Sequence, residues 1–193
     1  MPKIQRDSLL TLEAYARERN AFRSRVIEHK KARTVHLGEH LTLVFEDELT
    51  IRYQVQEMLR IERLFEEGDI QAELDVYNPL VPDGTNLKAT LMIEYEDPVE
   101  RRARLVELRG IEDRVWLQVE GGERVYAIAD EDLERETEEK TSAVHFLRFE
   151  LNEADRRALK AGAGLTIGVD HPHYRAVTEV SAETRAALAA DLL

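Results

Sequence analysis

Polar side chains on otherwise apolar faces are where chemistry would sit in this 193-residue chain. No proline or glycine interrupts residues 7 to 32, which read as one long helix capped by Asp7 or Ser8. At about 100° per residue, Leu12, Tyr15, Ala16, Phe22, Val26 and Ile27 share a face; Arg19 and Arg23 fall inside that arc and His29 at its edge. A second helix over 49–66 gathers Ile51, Val55, Met58, Leu59, Ile61 and Phe65, with Glu62 mid-face and Gln54 near the margin. A charge buried without a partner is costly, so the two helices are expected to meet and pair their charges.

Several chemistries fit these residues. One is an Arg–Glu network that fixes the register of two helices. Another is a small-anion site, in which Arg19 and Arg23, with Gln54 and His29, hold a carboxylate or phosphate in bidentate fashion. A metal site from Glu57, Glu62 and His29 is a third, although the Glu-x-x-His signature of di-iron bundles is missing. If the protein is an enzyme, the arginines would position an anionic substrate and Glu62, shifted by burial, would act as general acid or base.

A second constellation is Asp170-His171-Pro172-His173-Tyr174. On an extended chain residues i and i+2 face the same way, so His171 and His173 could present two imidazoles to a divalent iron, zinc or manganese ion. Asp170 is the nearest third ligand, with His145 or Glu179 as alternatives; the plain reading is exposed histidines at a strand end. The loop 78–86 with Lys88 clusters Asn78, Asp83, Thr85 and Asn86, residues that line pockets or simply make turns.

Composition narrows the classes. The net charge of −12 opposes unaided binding to DNA, RNA or anionic membranes, so neither nucleic acid nor membrane is an expected partner. With no cysteine, disulfides, thiolate metal sites and cysteine nucleophiles are ruled out. MPKIQRDSLL has no apolar signal core and no stretch is long enough to span a bilayer, so a cytoplasmic location is expected. No phosphate-binding loop, dinucleotide fingerprint, nucleophile elbow or zinc-protease motif appears.

The elements imply an α+β fold. Strands are expected at 34–38, 41–47, 87–95, 114–120, 123–129, 142–151 and 165–174, with 114–120 and 123–129 joined through Gly121-Gly122. Helices are expected at 69–77, 98–108, 152–161 and 181–192, and the charge run 131–140 as a solvated helix or loop. Residues 1–86 form a helical region with a short β-ribbon, and 87–193 a mainly antiparallel sheet with helices, as two domains or one continuous one.

The strings HKKARTVHLGEHLTL (29–43), FEDELTIRYQVQEMLRIERLF (45–65), ELDVYNPLVPDGTNLKATLMIEY (73–95) and the late DHPHY resemble a bacterial family known as domain of unknown function three-five-zero-one. The resemblance covers most of the chain. It carries no activity and no catalytic residues. It does imply a setting, since members are often encoded near rubrerythrin-like and iron–sulfur oxidoreductase-like proteins. That setting favours a non-catalytic metal- or anion-binding accessory protein in a peroxide- or iron-linked pathway, with a redox protein as partner. The alternatives are an enzyme built on the Arg/Glu cluster and a structural homodimer joined through its charged helices.

Overall fold

The computed structural model describes residues 3–129 and 140–193, and it is an α+β protein. The first helix, α1, spans Leu12–Lys31. Its cap is Thr11, whose hydroxyl accepts from Ala14 N at 3.2 Å, not Asp7 or Ser8, which belong to a separate 3₁₀ turn. Strands β1 (Thr34–Leu37) and β2 (Leu41–Phe45) follow, then α2 (Glu48–Glu62), opened by a capping box between Asp47 and Thr50. Arg63, at φ 55°, ends α2 in the left-handed region. Next come α3 (Glu67–Tyr77), β3 (Asn86–Ile93), α4 (Pro98–Glu107), β4 (Val115–Val119), β5 (Arg124–Tyr126) and β6 (Ile128–Ala129). The chain closes with β7 (Val144–Glu150), α5 (Glu153–Lys160), β8 (Leu165–His171), β9 (Tyr174–Glu179) and α6 (Ala182–Ala189).

Two elements depart from the sequence reading. The stretch 165–174 is not one strand: Pro172 and His173 form a turn, and the chain doubles back as β9. The stretch 123–129 breaks at Ala127 into β5 and β6, which belong to different sheets. The expected charge run at 131–140 lies, save for Lys140, outside the described residues.

One sheet has the order β1-β2-β3-β7-β6 and the other β5-β4-β8-β9, every pairing antiparallel. The ribbon β1–β2 thus continues into β3, across the 86/87 division. The two sheets are joined on both sides. β5 and β6 are one passage of chain that changes sheet at Ala127, whose N–H donates to Val115 O at 2.8 Å. On the other side the Tyr174 hydroxyl donates to Leu37 O at 2.6 Å, and the Thr178 hydroxyl to His36 O at 2.7 Å.

Alternation along the strands fills the enclosed space: Leu87, Ala89, Leu91 and Ile93 from β3 meet Leu147 and Phe149 from β7 and Ile167 and Val169 from β8. Burying each such large side chain stabilises the fold by about 2–3 kcal/mol. A second core, from Ile4, Leu9, Ile51, Val55, Leu59, Ile70, Leu74 and Val81, unites the N-terminal segment with α2, α3 and the loop before β3. Among the described residues no helix is long and apolar enough to cross a membrane.

Candidate functional site

The helices meet as expected at one point. Glu57 on α2 accepts from Arg19 Nε at 2.7 Å, Arg60 Nη2 at 2.9 Å and the Tyr15 hydroxyl at 2.9 Å. Burial pushes its carboxyl up, but the donors from Arg19, Arg60 and Tyr15 outweigh this and hold it at about 2. Burial, with Glu57 beside it, raises the Tyr15 phenol in turn. This carboxylate fills the Arg19 fork and leaves it poorly placed to take a foreign anion.

The other expected members go elsewhere. Arg23 is exposed, Gln54 is half-buried, and among the described residues neither side chain makes a hydrogen bond. Glu62 is exposed, as are its neighbours Ile61 and Phe65. The helical arc was right for Ile51, Val55 and Leu59 and failed at Glu62. Gln56, absent from that arc, is the buried amide, exchanging hydrogen bonds with the backbone of Leu10.

Glu57→Gln is expected to cost about 1–3 kcal/mol at pH 7. The folded carboxyl titrates at about 2 against an ordinary 4.5. Its stabilisation is therefore complete above about 4.5 and is lost as pH falls through about 2. Urea melts at pH 7, 4 and 2.5 should show the gap between the variant and wild type closing with acid; a gap that ignores pH would contradict the geometry.

His29 joins a different cluster. Its Nε2 lies 2.5 Å from Asp47 Oδ2, beside the guanidinium of Arg33, whose Nη1 is 3.5 Å from the same oxygen. Arg33 is 2% exposed. It donates to Phe45 O at 2.8 Å and Glu46 O at 3.2 Å, and forms a close ion pair with Asp191 after α6. Burial pushes Asp47 up, but Arg33, the Thr50 N–H and His29 hold it below the usual range; burial dominates at Asp191 and raises it despite Arg33. The signal for Arg33 was present in the sequence: it shares the inward parity of Val35 and Leu37.

The late histidines lie beside each other, ring centroids 5.7 Å apart, but His171 is already committed. His171 is buried, with Nε2 2.9 Å from Arg109 O and Nδ1 accepting from His173 N at 3.2 Å, so both ring nitrogens are taken. Asp170, one residue earlier, faces the opposite side and accepts from the Tyr126 hydroxyl at 2.6 Å. His173 is exposed in the turn. His145 is buried at the β7 start, Nε2 lying 2.8 Å from the Thr141 hydroxyl and Nδ1 3.9 Å from Glu112. No group of three or more His, Asp or Glu among the described residues is arranged to hold a metal ion.

A cleft of about 380 Å³ lies over the outer face of β3, β7 and β6, within the size range of small-molecule sites. Its floor is a row of residues across neighbouring strands. Lys88 on β3 pairs directly with Arg148 on β7, and Arg148 with Ile128 on β6. Glu46, just past β2, continues the row, its N–H donating to Lys88 O at 2.8 Å. Pro79, Leu80 and Phe146 add apolar walls.

Lys88 Nζ donates to the carbonyls of Pro79 and, at 3.1 Å, Val81; burial pushes its amine down, Asp83 opposes this and Arg148 adds to it. Arg148 forms a close ion pair with Glu150. The Glu46 carboxylate accepts from the hydroxyls of Thr50 and, at 2.6 Å, Thr90. Of the polar side chains in and after this loop, Asp83 and Thr85 are turn chemistry, Asn78 ties down Ile4, Asn86 bridges Asp83 and Glu150, and Lys88 lines the cleft. Glu46 and Arg148 were missed because parity puts them outward without saying which strands lie beside them.

A family model described as a protein of unknown function (DUF3501) matches residues 3–192. The crystal structure of a novel protein of unknown function from Burkholderia pseudomallei K96243 is similar over 100% of both chains, at 62% sequence identity and a TM-score of 0.95. No curated protein matches the sequence.

Proposed function

The chain belongs to the family described as a protein of unknown function (DUF3501), and from that premise we propose that it is a non-catalytic binding protein for a small organic anion, seated in the cleft over β3, β7 and β6. The observation that carries this reading is the direct cross-strand pairing of Lys88 with Arg148 on the cleft floor. Like charges opposite one another weaken a sheet, and an anion between them reverses the sign of that term. Lys88 has one N–H left after its two carbonyl partners, and Arg148 keeps most of its fork after Glu150. The apolar walls favour an organic acid over a bare inorganic ion.

Titration calorimetry with succinate, benzoate and inorganic phosphate tests the reading. One of the organic acids is expected to bind with a Kd below about 1 mM, more tightly than phosphate. Arg148→Gln should weaken it about tenfold without lowering the melting temperature in buffer, because Arg148 is partly exposed and paired only with Glu150. Binding that is absent for all three probes, or unchanged in Arg148→Gln, would overturn it.

A further inference from the structure

We infer that the ligand of this cleft is zwitterionic, an α-amino acid with an apolar side chain, its carboxylate on Lys88 and Arg148 and its ammonium on Glu46. The inference rests on the anion-binding reading and adds the second charge. Glu46 is 5% exposed, yet among the described residues its carboxylate is met by two hydroxyls alone, those of Thr50 and Thr90. Among the described residues no lysine, arginine or histidine comes within ion-pair distance of it.

Lys88 is the adjacent residue in the row and would be the natural partner. Its ammonium is instead drawn towards the carbonyls of Pro79 and Val81, while Glu46 is turned towards the α2 start. Neighbouring opposite charges therefore stand side by side without neutralising each other. A carboxylate has about four lone-pair sites and Glu46 uses two of them, so it can still accept N–H donors. Lys88 and Arg148 offer donors that still lack acceptors. The cleft thus offers an acceptor on Glu46 and donors on Lys88 and Arg148 along one row of adjacent strands, and an α-amino acid carries an ammonium and a carboxylate on the same carbon. Ile128, Leu80, Pro79 and Phe146 supply an apolar surround for its side chain.

The test compares each amino acid with its deaminated counterpart, by calorimetry on the wild-type protein: L-leucine with 4-methylpentanoate, and L-phenylalanine with 3-phenylpropanoate. At least one amino acid is expected to bind about tenfold or more tighter than its counterpart, the worth of one charge-assisted contact. Glu46→Gln should remove that preference, bringing each amino acid and its plain acid to about equal affinity. If the plain acids bind as tightly as the amino acids, the zwitterion is overturned and the anion cleft stands. If none of the four binds, and succinate, benzoate and phosphate fail as well, both readings fall. Because Glu46→Gln also alters the contacts with Thr50 and Thr90, the wild-type comparison decides even if that variant folds poorly.

Discussion

Arg33→Met should destabilise the protein by about 3–5 kcal/mol, a large part of the whole stability of a chain this size. The methionine fills much of the same volume, so packing is preserved while the charge is removed. What remains is Asp191 and Asp47 in a buried junction without their shared cation, and the carbonyls of Phe45 and Glu46 without a donor. Arg33 fastens the end of α1, the β2–α2 corner and the segment after α6 together, so the C-terminal helix should detach first. Arg33→Lys keeps the charge but not the planar fork, and should recover only part of the loss. Urea denaturation of the three proteins, with amide exchange over 182–193, checks this. A loss for Arg33→Met below about 1 kcal/mol would mean the pairs are not formed in solution.

Gly168→Ala should be nearly as damaging for a steric reason. A Cβ at this position would stand 2.3 Å from Trp116 Cζ2 and 2.6 Å from Cε2. The indole lies across the glycine on the outer face of the second sheet, 3% exposed, with the Arg124 guanidinium 4.0 Å from its ring centre. The ring must lift, and overpacking of this kind costs about 1–3 kcal/mol. Lifting it also draws the ring face away from the Arg124 cation, which weakens their attraction. Trp116 is the only tryptophan in the chain, so emission reports this site alone. A red shift and a lowered urea midpoint are expected. The lowered midpoint should be largely relieved in Gly168→Ala/Trp116→Leu, where no ring meets the new methyl. Unshifted emission in Gly168→Ala would show that the indole does not rest on the glycine.

The sequence made the α+β class legible, along with most strand positions and the meeting of α1 and α2. Periodicity identifies the face of an element, and Ile51, Val55 and Leu59 were read correctly by it. It does not identify what covers that face. Glu62 sits mid-arc and is nonetheless solvated, while His29 turns to Asp47, the cap of α2, and not to the Glu57 cluster. The metal reading of Asp170, His171 and His173 assumed an extended chain through Pro172; the hairpin there keeps the two rings adjacent but commits both His171 nitrogens to backbone groups and turns Asp170 to Tyr126. The candidate cleft was the least legible part. Lys88 stood out beside a polar loop, but its juxtaposition with Glu46 and Arg148 depends on β2, β3 and β7 lying side by side. That pairing is a long-range choice, and no local pattern encodes it.

The way β1 meets β9 has a consequence for how the protein behaves when crowded. A sheet normally ends in strands whose unpaired backbone groups invite another chain to add on, which is how many β-rich proteins begin to aggregate. Here the outer strands of the two sheets face each other, with the Tyr174 and Thr178 hydroxyls seated on the carbonyls of Leu37 and His36. At the opposite side β5 and β6 are a single run of chain serving both sheets. Both sides of the described fold therefore carry contacts that tie one sheet to the other. The Tyr174 and Thr178 contacts shield the β1 and β9 edges from strand addition, and the seam at Tyr174 is the place where that shielding would first give way.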